Sequence, residues 1–506
     1  MTGTENSARS SHRSPDLRAL ALAVLQPGFV GLTPPDWVLR ELDNGLGGVA
    51  LFGRNIMDLA QVSALTAAVH GANPRAIIAI DEEAGDVTRL EHSTGSSWPG
   101  NLALGVVDDV ALTEAVAREI GTMLDSVGVD LDYAPVADVN NNPANPVIGV
   151  RSFGADPALV ARHTAAWVAG LQSAGVLACA KHFPGHGDTA TDSHLDMPVV
   201  NFEGPEDVVL QPFRAAIESG TASIMSAHIL VRGLDDQPAT LSRRALVDLL
   251  RTHLGFDGLI LSDGMEMGAI TRSMSLGEGC VRAVAAGVDS LCIGGGLAGE
   301  ETVLEVADAL VDAVHDGRLD ESRLAHAAQQ VGRAADERAR LRRAAASVTP
   351  ATGTDGSDLH NGAGIDAARR AITVHGPQRR LATGRAPTVI ELSAPGNFAV
   401  GDETLCGIAS AVASRWPGTS TTSVQDANEV WGALAAADDG PLWITVRDPH
   451  RHGWMVSALT DLLAARPDAV VIDTGWSGWT APEGTTHVLT HGAARVTAER
   501  VVELLA

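Results

Sequence analysis

The sequence predicts an α/β protein that consists of a (β/α)8, TIM-like barrel followed by a smaller, doubly wound α/β sandwich domain. Between residues 19 and 293, eight short apolar runs without alternation recur, and a segment of helical period follows each of them. A second, shorter series of the same kind follows a stretch rich in Gly, Ser and Thr. Apolar runs separated by helices are typical of parallel strands buried on both faces. Eight such units in roughly 300 residues is the number that forms a (β/α)8 barrel.

All eight predicted barrel strands are apolar, but they differ in how clearly the sequence indicates a strand. They are Ala19–Leu25, Gly47–Leu51, Ala76–Ile80, Asp130–Ala134, Leu177–Ala180, Ala222–Ser226, Gly258–Leu261 and Asp289–Ile293. The first run is also compatible with a helix, because Ala and Leu favour helices.

The chain of 506 residues is too long for one ordinary hydrophobic core, which favours two domains. A long helix over Leu319–Ala345 ends the predicted barrel, and the next segment, Thr349–Asp358, has the Gly, Ser, Thr, Pro and Asp composition of a linker. We therefore predict a disordered tail at 1–15, the barrel at 16–347, a linker at 348–362 and a C-terminal α/β domain at 363–506.

In the C-terminal domain, strand-like runs alternate with helix-like segments such as Glu403–Ser414 and Val456–Ala465. The predicted strands are Thr388–Leu392, Thr421–Val424, Leu442–Val446, Ala469–Asp473 and His487–Leu489. This alternation indicates a doubly wound sheet. The first of these strands lacks a following G-x-G-x-x-G, so nucleotide binding has little support.

Charge and composition exclude several classes of partner. The formal net charge of −26 argues against nucleic acid and against anionic membrane surfaces. The four cysteines are scattered without a CxxC pair, which fits a reducing compartment. Residues 1–15 are polar, and no segment reaches transmembrane length, so we expect a cytoplasmic protein.

Polar or charged residues follow six consecutive predicted strands, from the second to the seventh. They are Arg54 and Asn55; Asp81, Glu82, Glu83 and Arg89; Asp138, Asn140, Asn145 and Arg151; Lys181 and His182; His228; and Asp263. Active sites of these barrels lie at the carboxyl ends of the strands. Carboxylates, cations, imidazoles and amides together suit a polyhydroxylated ligand such as a sugar, because each hydroxyl both donates and accepts.

The densest of these strand ends carries the motif Lys181-His-Phe-Pro-Gly-His-Gly-Asp-Thr189, which Asp192-Ser-His194 follows closely. Further motifs are Asp81-Glu-Glu-Ala-Gly-Asp-Val-Thr-Arg89, Ala134-Pro-Val-Ala-Asp-Val-Asn140, Asn145-Pro-Val-Ile-Gly-Val-Arg-Ser-Phe-Gly154, Pro238-Ala-Thr-Leu-Ser242 and Gly255-Phe-Asp-Gly-Leu-Ile-Leu-Ser-Asp263. In combination they resemble glycoside hydrolase family 3, and more narrowly its β-N-acetylglucosaminidases with an Asp-His acid/base dyad. The resemblance covers roughly residues 20–345.

One position departs from this resemblance. The family usually has Gln-Glu-Gly-Gly-Arg after the first aspartate, whereas this chain has Glu-Glu-Ala-Gly-Asp over residues 82–86. Asp86 therefore reverses a charge that we expect near the rim of the pocket.

The resemblance implies a retaining glycosidase that removes terminal β-linked N-acetylglucosamine. Asp263 would be the nucleophile, and Asp192 with His194 the acid/base pair, because an imidazole that titrates near neutrality can both donate and accept a proton. Taken alone, Asp263 could equally cap the next helix, and Asp192 and His194 could be two solvated loop residues.

The remaining site residues are implied by the same resemblance to bind the sugar. They are Asp81, Arg89, Arg151, Lys181 and His182. The alternative for these five is a structural network of ion pairs around the mouth of the barrel. His186 and Asp188 are interpreted as bracing the loop, and His228 as satisfying nearby carboxylates.

Four further hypotheses compete with the interpretation as a retaining β-N-acetylglucosaminidase. A metal hydrolase could use His182, His186, Asp188 and His194, but the first strand lacks the His-x-His pair that often begins such sites; we predict no metal and no cofactor. A non-catalytic sugar-binding module would not need both a strand-end aspartate and an Asp-x-His pair. A phosphorylase that uses phosphate in place of water, and a β-glucosidase of the same family, would share these residues. The resemblance points to cell-wall (muropeptide) fragments as the substrate.

Overall fold

The computed structural model describes residues 16–189, 197–204, 206–295, 299–347, 362–377, 385–394, 407–476 and 478–506. Within these residues the predicted fold class is confirmed: a curled parallel sheet with surrounding helices precedes a second α/β domain. The described residues include no helix long and apolar enough to cross a membrane.

The strands of the first domain are β1 (Leu25–Pro27), β2 (Gly48–Leu51), β3 (Ile77–Ile80), β4 (Leu131–Asp132), β5 (Leu177–Phe183), β6 (Val199–Asn201), β7 (Ser223–Ser226), β8 (Leu230–Arg232), β9 (Leu259–Ser262) and β10 (Leu291–Ile293). Strands β2, β3, β4, β5, β7 and β9 form one parallel sheet in that order, and β1 pairs in parallel with β10. A parallel bridge between Leu261 and Ser290 links β9 to β10, and the N–H of Gly47 donates to Leu22 O at 3.1 Å. Eight strands therefore curl round in the order of a barrel, while β6 and β8 pair separately.

The helices of the first domain lie before, between and after these strands. They are α1 (Leu17–Ala23), α2 (Asp36–Asp43), α3 (Leu59–Ala72), α4 (Asn101–Val107), α5 (Val110–Ser126), α6 (Pro157–Ser173), α7 (Gln211–Glu218), a wide helical segment at Arg244–His253, α8 (Gly268–Thr271), α9 (Leu276–Ala286), α10 (Glu300–His315) and α11 (Glu321–Ser347). The helix predicted at Leu319–Ala345 is confirmed as α11.

The first predicted strand is wrong, because most of Ala19–Leu25 belongs to helix α1. Asp16 caps this helix by accepting a hydrogen bond from the backbone N–H of Arg18, and the strand begins only at Leu25. The Ala- and Leu-rich sequence favours a helix, and no polar residue separates that helix from β1. One apolar run therefore contains the end of a helix and the start of a strand.

Side chains fill the interior of the barrel. Tyr133, the only tyrosine of the chain, donates its hydroxyl to Gln26 Oε1 at 2.6 Å, and Gln26 Nε2 donates to Ile77 O at 3.1 Å. Around this buried bridge pack apolar residues from the strands, including Leu177 and Leu261. The barrel is therefore a packed core and not a channel.

Helix α11 closes the amino-terminal end of this core. Val331, Ala334 and Ala335 pack against the side chains of the barrel interior. Polar side chains of α11 donate to carbonyls that lie just before four strands; the pairs are Arg338–Ala76 (3.1 Å), Arg342–Val129 (3.0 Å), Gln330–Asp257 (3.2 Å) and Arg323–Val288 (2.5 Å). The carboxyl end of the barrel is left for a binding site.

The second domain has a six-stranded sheet in the order β11-β16-β15-β14-β12-β13. Its strands are β11 (Thr373–His375), β12 (Thr388–Leu392), β13 (Thr421–Val424), β14 (Leu442–Val446), β15 (Val470–Asp473) and β16 (Thr486–Leu489). The helices are α12 (Ala363–Ala371), α13 (Ile408–Arg415), α14 (Val430–Ala436), α15 (Gly453–Ala465) and α16 (Arg495–Leu505). The five predicted strands are confirmed to within a residue.

The sequence did not predict β11, which pairs with β16 as the antiparallel edge of the sheet. This strand has three residues, none of them buried, so it lacks the apolar run that marks the others. Part of the predicted helix Glu403–Ser414 and the predicted linker Thr349–Asp358 lie outside the described residues.

Candidate active site

The predicted strand-end residues meet at the carboxyl end of the barrel. Asp81 directly follows β3, and Asp263 directly follows β9. Lys181 and His182 are among the last residues of β5. Because β3, β4, β5, β7 and β9 are adjacent parallel strands, their carboxyl ends lie along one edge. The Lys181–His182 peptide bond in this edge is cis.

Lys181 lies between two carboxylates. Its Nζ is 2.7 Å from Asp81 Oδ1 and 2.6 Å from Glu83 Oε1, and its side chain is only 2% exposed. Burial alone would lower the pKa of this amine, but the charges of Asp81 and Glu83 outweigh burial and raise it. Lys181 is also the only lysine of the chain, and every other permanently charged cationic side chain is an arginine. The site therefore contains one permanently charged ammonium group.

Glu83 joins Lys181 to Arg151. The guanidinium of Arg151 binds both oxygens of Glu83, with Nε at 2.9 Å and Nη2 at 2.7 Å. Burial would raise the pKa of the Glu83 carboxyl, but the charges of Arg151 and Lys181 hold it well below its usual range. This bidentate pair fixes the orientation of Arg151 beneath the pocket.

Asp81 is the open member of the cluster, because 20% of its side chain remains exposed. Arg89 Nη2 lies 3.6 Å from Asp81 Oδ2, so a cation flanks Asp81 on each side. An aspartate held between two cations can still accept hydrogen bonds from the hydroxyls of a ligand. The structure thus brings together four of the five residues predicted to bind sugar.

The fifth, His182, is oriented by Asp138. His182 Nδ1 is 2.7 Å from Asp138 Oδ2, and the backbone N–H of His182 donates to Oδ1 at 3.2 Å. Burial would raise the pKa of Asp138, but the charge and hydrogen bond of His182 lower it. An ionised Asp138 accepts a hydrogen bond from Nδ1 of His182, so this nitrogen carries a proton and the orientation of the ring is fixed.

Asp263 lies partly exposed at the end of β9, and its backbone holds it in place. Its Oδ1 accepts from the N–H of Gly264 at 2.8 Å, and its own N–H donates to Ser226 O of β7 at 3.2 Å. Burial raises the pKa of the Cys292 thiol, and the charges of Glu266, Asp263 and Asp81 raise it further. Both aspartates therefore act electrostatically on the same buried thiol, so both lie near it.

His228 supports the Asp263 segment from behind. Its Nε2 is 2.9 Å from Gly264 O, and its Nδ1 is 2.9 Å from the hydroxyl of Thr240. A backbone carbonyl and a hydroxyl are thus among the partners of His228.

Asp192 and His194 lie outside the described residues. The loop that leads to them is described as far as Thr189, and His186 occupies its base. The His186 N–H donates to Asp138 Oδ1 at 2.6 Å, and its Nδ1 is 2.8 Å from Thr189 Oγ1. Burial lowers the pKa of His186 to about 4, so this ring is neutral at cellular pH and braces the loop. Asp188, interpreted in the same way, is exposed.

Glu83 and Asp138 were recognised in the sequence as strand-end residues, but neither was assigned a role in the site. The structure makes each of them the counter-ion of a predicted binding residue. A signal existed in the sequence: both are carboxylates at predicted strand ends, other strand ends carry cationic or imidazole groups, and a buried carboxylate requires such a partner.

The sequence analysis expected Asp86 near the rim of the pocket, but this residue is buried in the structure. It is 3% exposed, and it accepts a hydrogen bond from the N–H of Ala493 at 2.7 Å and pairs with Arg447. Both partners belong to the second domain, so the reversed charge has its counter-ion there. His450 of that domain also approaches the barrel, with Nε2 3.0 Å from Pro143 O.

No group of three or more His, Cys, Asp and Glu side chains within the described ranges has the arrangement to hold a metal ion.

Comparison with known proteins identifies relatives of this site and fold. The sequence profile described as "Glycosyl hydrolase family 3 N terminal domain" matches residues 38–334, more than half of the chain. Beta-hexosaminidase A of Pseudoalteromonas piscicida is 33% identical over 370 residues, which are 67% of this chain and 61% of that protein. The chain thus spans less than two thirds of this relative's length. A beta-hexosaminidase of Nitrosomonas eutropha is 37% identical over 49% of this chain and 73% of its own length.

The solved structure of a glycoside hydrolase family 3 beta-N-acetylglucosaminidase from Paenibacillus sp. strain FPU-7 superposes with a TM-score of 0.82 at 28% sequence identity. The match covers 97% of both chains, so both domains of the present protein have counterparts there.

Proposed function

Because this chain belongs to glycosyl hydrolase family 3, we propose that it is a retaining β-N-acetylhexosaminidase that removes terminal β-linked N-acetylglucosamine. The relatives described above are named for this activity, and the Paenibacillus structure extends the likeness over both domains.

One observation carries the proposal. Asp81, Lys181 and Glu83 form a chain of contacts of 2.7 and 2.6 Å at the same barrel end where Asp263 is partly exposed. A neutral pyranose offers only hydroxyls and an amide, so it needs fixed charged partners to be oriented. The Asp263 carboxylate, at another strand end of the same face of the barrel, is then available to attack the anomeric carbon.

In the proposed mechanism Asp263 is the nucleophile. Its carboxylate attacks the anomeric carbon and forms a covalent glycosyl-enzyme, while the bond to the leaving group breaks. The hydrogen bond from the Gly264 N–H to Oδ1 and the support of Gly264 by His228 keep the carboxylate at a fixed position. A fixed nucleophile lowers the entropic part of the barrier.

His194, paired with Asp192, is proposed as the acid and base. In the first step the imidazolium protonates the oxygen of the leaving group, and in the second step the neutral imidazole takes a proton from water. Residues i and i+2 of an extended segment point to the same side, so Asp192 can hold one ring nitrogen and leave the other for catalysis. The basis for this pair is the sequence resemblance.

The first experiment is turnover of a chromogenic β-GlcNAc glycoside and of the matching β-glucoside by the purified chain. We expect release of free GlcNAc and much slower release of glucose. Equal or faster cleavage of the glucoside would replace the proposal with a β-glucosidase. A chain that binds GlcNAc without turning over either glycoside would instead be a sugar-binding module.

A second candidate function is phosphorolysis, and a single feature favours it. A histidine as acid/base does not repel phosphate as a carboxylate would, so phosphate could attack the glycosyl-enzyme in place of water. The same assay with inorganic phosphate separates the two: GlcNAc 1-phosphate as the main product would overturn the hydrolase proposal.

For the natural substrate we propose cell-wall fragments that carry a terminal GlcNAc, processed in the cytoplasm. This rests on the sequence resemblance. Incubation with muropeptides that carry or lack the terminal GlcNAc, followed by mass spectrometry, tests the substrate, and cell fractionation tests the location.

A further inference from the structure

A tight turn connects the sugar site to the second domain. The Glu83 N–H donates to Val87 O at 3.0 Å, the Val87 N–H donates to Ala84 O at 3.3 Å, and the Gly85 N–H donates to Trp98 O at 3.0 Å. Ala84 and Gly85 both have a φ of 63°, and a Cβ at Gly85 would lie 2.5 Å from Gly100 Cα. The backbone of this turn therefore has little room to adjust.

The two acidic residues of the turn face different parts of the molecule. Glu83 binds Arg151 and Lys181 in the sugar site, at 2.7 Å from Arg151 Nη2 and 2.6 Å from Lys181 Nζ. Asp86, three residues later, pairs with Arg447 and accepts from Ala493. Asp86 and Glu83 are thus joined by a short, hydrogen-bonded backbone segment.

The second domain presents these partners at the carboxyl ends of its strands. Arg447 directly follows β14, and Ala493 follows β16 after a short segment. Gly492 lies with Glu83, Asp86 and Arg151 around one small pocket between the domains. The second domain therefore lies next to Glu83 and Arg151, which belong to the sugar site.

We propose that Arg447 is a positioning residue of the active site: through Asp86 it holds the turn at 83–87, and thereby the Glu83 carboxylate that orients Arg151 and Lys181. The inference rests on the proposed function, since it assigns these two cations to substrate. It gives the second domain a role in substrate affinity that the barrel alone does not fulfil.

The two domains also make contacts that do not involve residues 83–87 of this turn. Arg370 of α12 donates to Asp109 Oδ2 at 2.9 Å on the surface, and Arg495 donates to the hydroxyl of Ser97 at 2.5 Å. The Arg370 pair is exposed and contributes little to stability. Asp86, by contrast, is buried, and a buried charge without its partner is costly, so its turn would rearrange.

The test compares Arg447→Ala with Arg370→Ala, because each change removes an arginine that joins the second domain to a barrel aspartate. We expect Arg447→Ala to raise KM for the GlcNAc glycoside about tenfold and to change kcat by less than about threefold. Arg370→Ala should leave both constants within about twofold of the wild type. Arg447→Lys should recover part of the lost affinity, since it restores the charge without the fork geometry.

Hydrogen exchange of residues 82–90 supplies a readout that does not depend on turnover. Exchange in this segment should be faster in Arg447→Ala than in Arg370→Ala and the wild type. If the wild type cleaves no GlcNAc glycoside, the proposed function fails, while this exchange comparison still tests the positioning role.

Should Arg447→Ala fail to fold, Asp86→Asn is the second variant, because it keeps an oxygen for the Ala493 N–H and removes only the charge that binds Arg447. Unchanged KM and unchanged exchange in the folded variant would overturn the proposal. Equal increases in KM for the Arg447 and Arg370 variants would overturn it as well, because they would show a general effect of domain docking.

Discussion

The two ends of the barrel both carry buried arginine–carboxylate clusters, and they differ in what is left exposed. At the amino-terminal end, Asp289 is buried and enclosed by Arg251 Nη2 at 2.5 Å, Arg323 Nη2 at 2.9 Å and the Ile260 N–H at 3.1 Å. At the carboxyl end, Lys181 and Glu83 are equally buried, but Asp81 in contact with them remains 20% exposed.

This difference teaches that a buried ion pair does not by itself mark an active site. Asp130 at the amino-terminal end has His70 Nε2 at 2.8 Å and Arg338 Nη1 at 3.1 Å, a set of partners as rich as that of any site residue. Asp130, which directly precedes β4, thus connects this strand to helices α3 and α11 and stabilises the fold. A cluster becomes a candidate site when one of its members faces an open cavity.

The largest expected effect is on Asp263, the proposed nucleophile. Asp263→Asn should lower kcat roughly 10⁴-fold, because it removes the carboxylate that attacks the sugar, and should leave thermal stability nearly unchanged. Steady-state kinetics and thermal unfolding measure the two effects. Asp257→Asn is the matched control, since Asp257 is an exposed aspartate that precedes the same strand, β9. Similar activity of both variants would remove Asp263 from the mechanism.

The converse is expected at the amino-terminal end. Asp289→Ala leaves Arg251 and Arg323 without their shared carboxylate, which should cost about 3–5 kcal/mol of unfolding free energy. Kinetic constants of the folded protein should stay close to the wild type. Urea denaturation and kinetics at low temperature test this, and a large loss of kcat without loss of stability would contradict the comparison.

Within the site, Lys181→Met should act mainly on binding. Loss of a charged hydrogen bond costs about 1.5–3 kcal/mol, which corresponds to an increase in KM of about 10- to 150-fold. The folded protein should retain more of kcat than Asp263→Asn does. Titration of GlcNAc by calorimetry checks the affinity directly, and unchanged affinity would assign Lys181 to structure alone.

The smallest expected effect concerns pH and Glu82. Burial raises the pKa of this carboxyl to about 7, although Oε2 accepts from the N–H groups of Arg89 and Leu90. Between about pH 4 and pH 7 the folded state therefore keeps a proton that the unfolded state has released, so this residue lowers stability as pH rises.

Glu82→Gln removes that titration. The variant should be more stable than the wild type by about 2 kcal/mol at pH 8, and by much less at pH 4. Urea denaturation at both pH values measures the difference. An equal effect at the two pH values would show that packing, and not the proton, decides.

The sequence predicted the barrel because seven of its eight strands are isolated apolar runs, and polar residues follow six of them. It misplaced β1 because α1 runs into that strand without a break, and it missed β11 because an exposed edge strand needs no apolar residues. Local patterns report burial, and these two elements lack a distinct burial pattern.

The strand-end residues Asp81, Lys181, His182 and Asp263 could be predicted because the fold brings the carboxyl ends together. The partner of Asp86 could not, because Ala493 is 407 positions further along and belongs to another domain. No local pattern in a single sequence encodes a pairing between domains. The orienting roles of Glu83 and Asp138 also depend on distances that spacing does not supply.

The closure of the barrel by α11 has a consequence for the order of events during turnover. With the interior filled and one end covered in the described part of the barrel, a sugar that enters at the carboxyl end has no second exit. Under the proposed function, the leaving group would therefore have to depart through the opening by which the substrate entered before water could reach the glycosyl-enzyme. Released GlcNAc would leave by the same opening, so under the proposed function it should compete with the next substrate for an empty site.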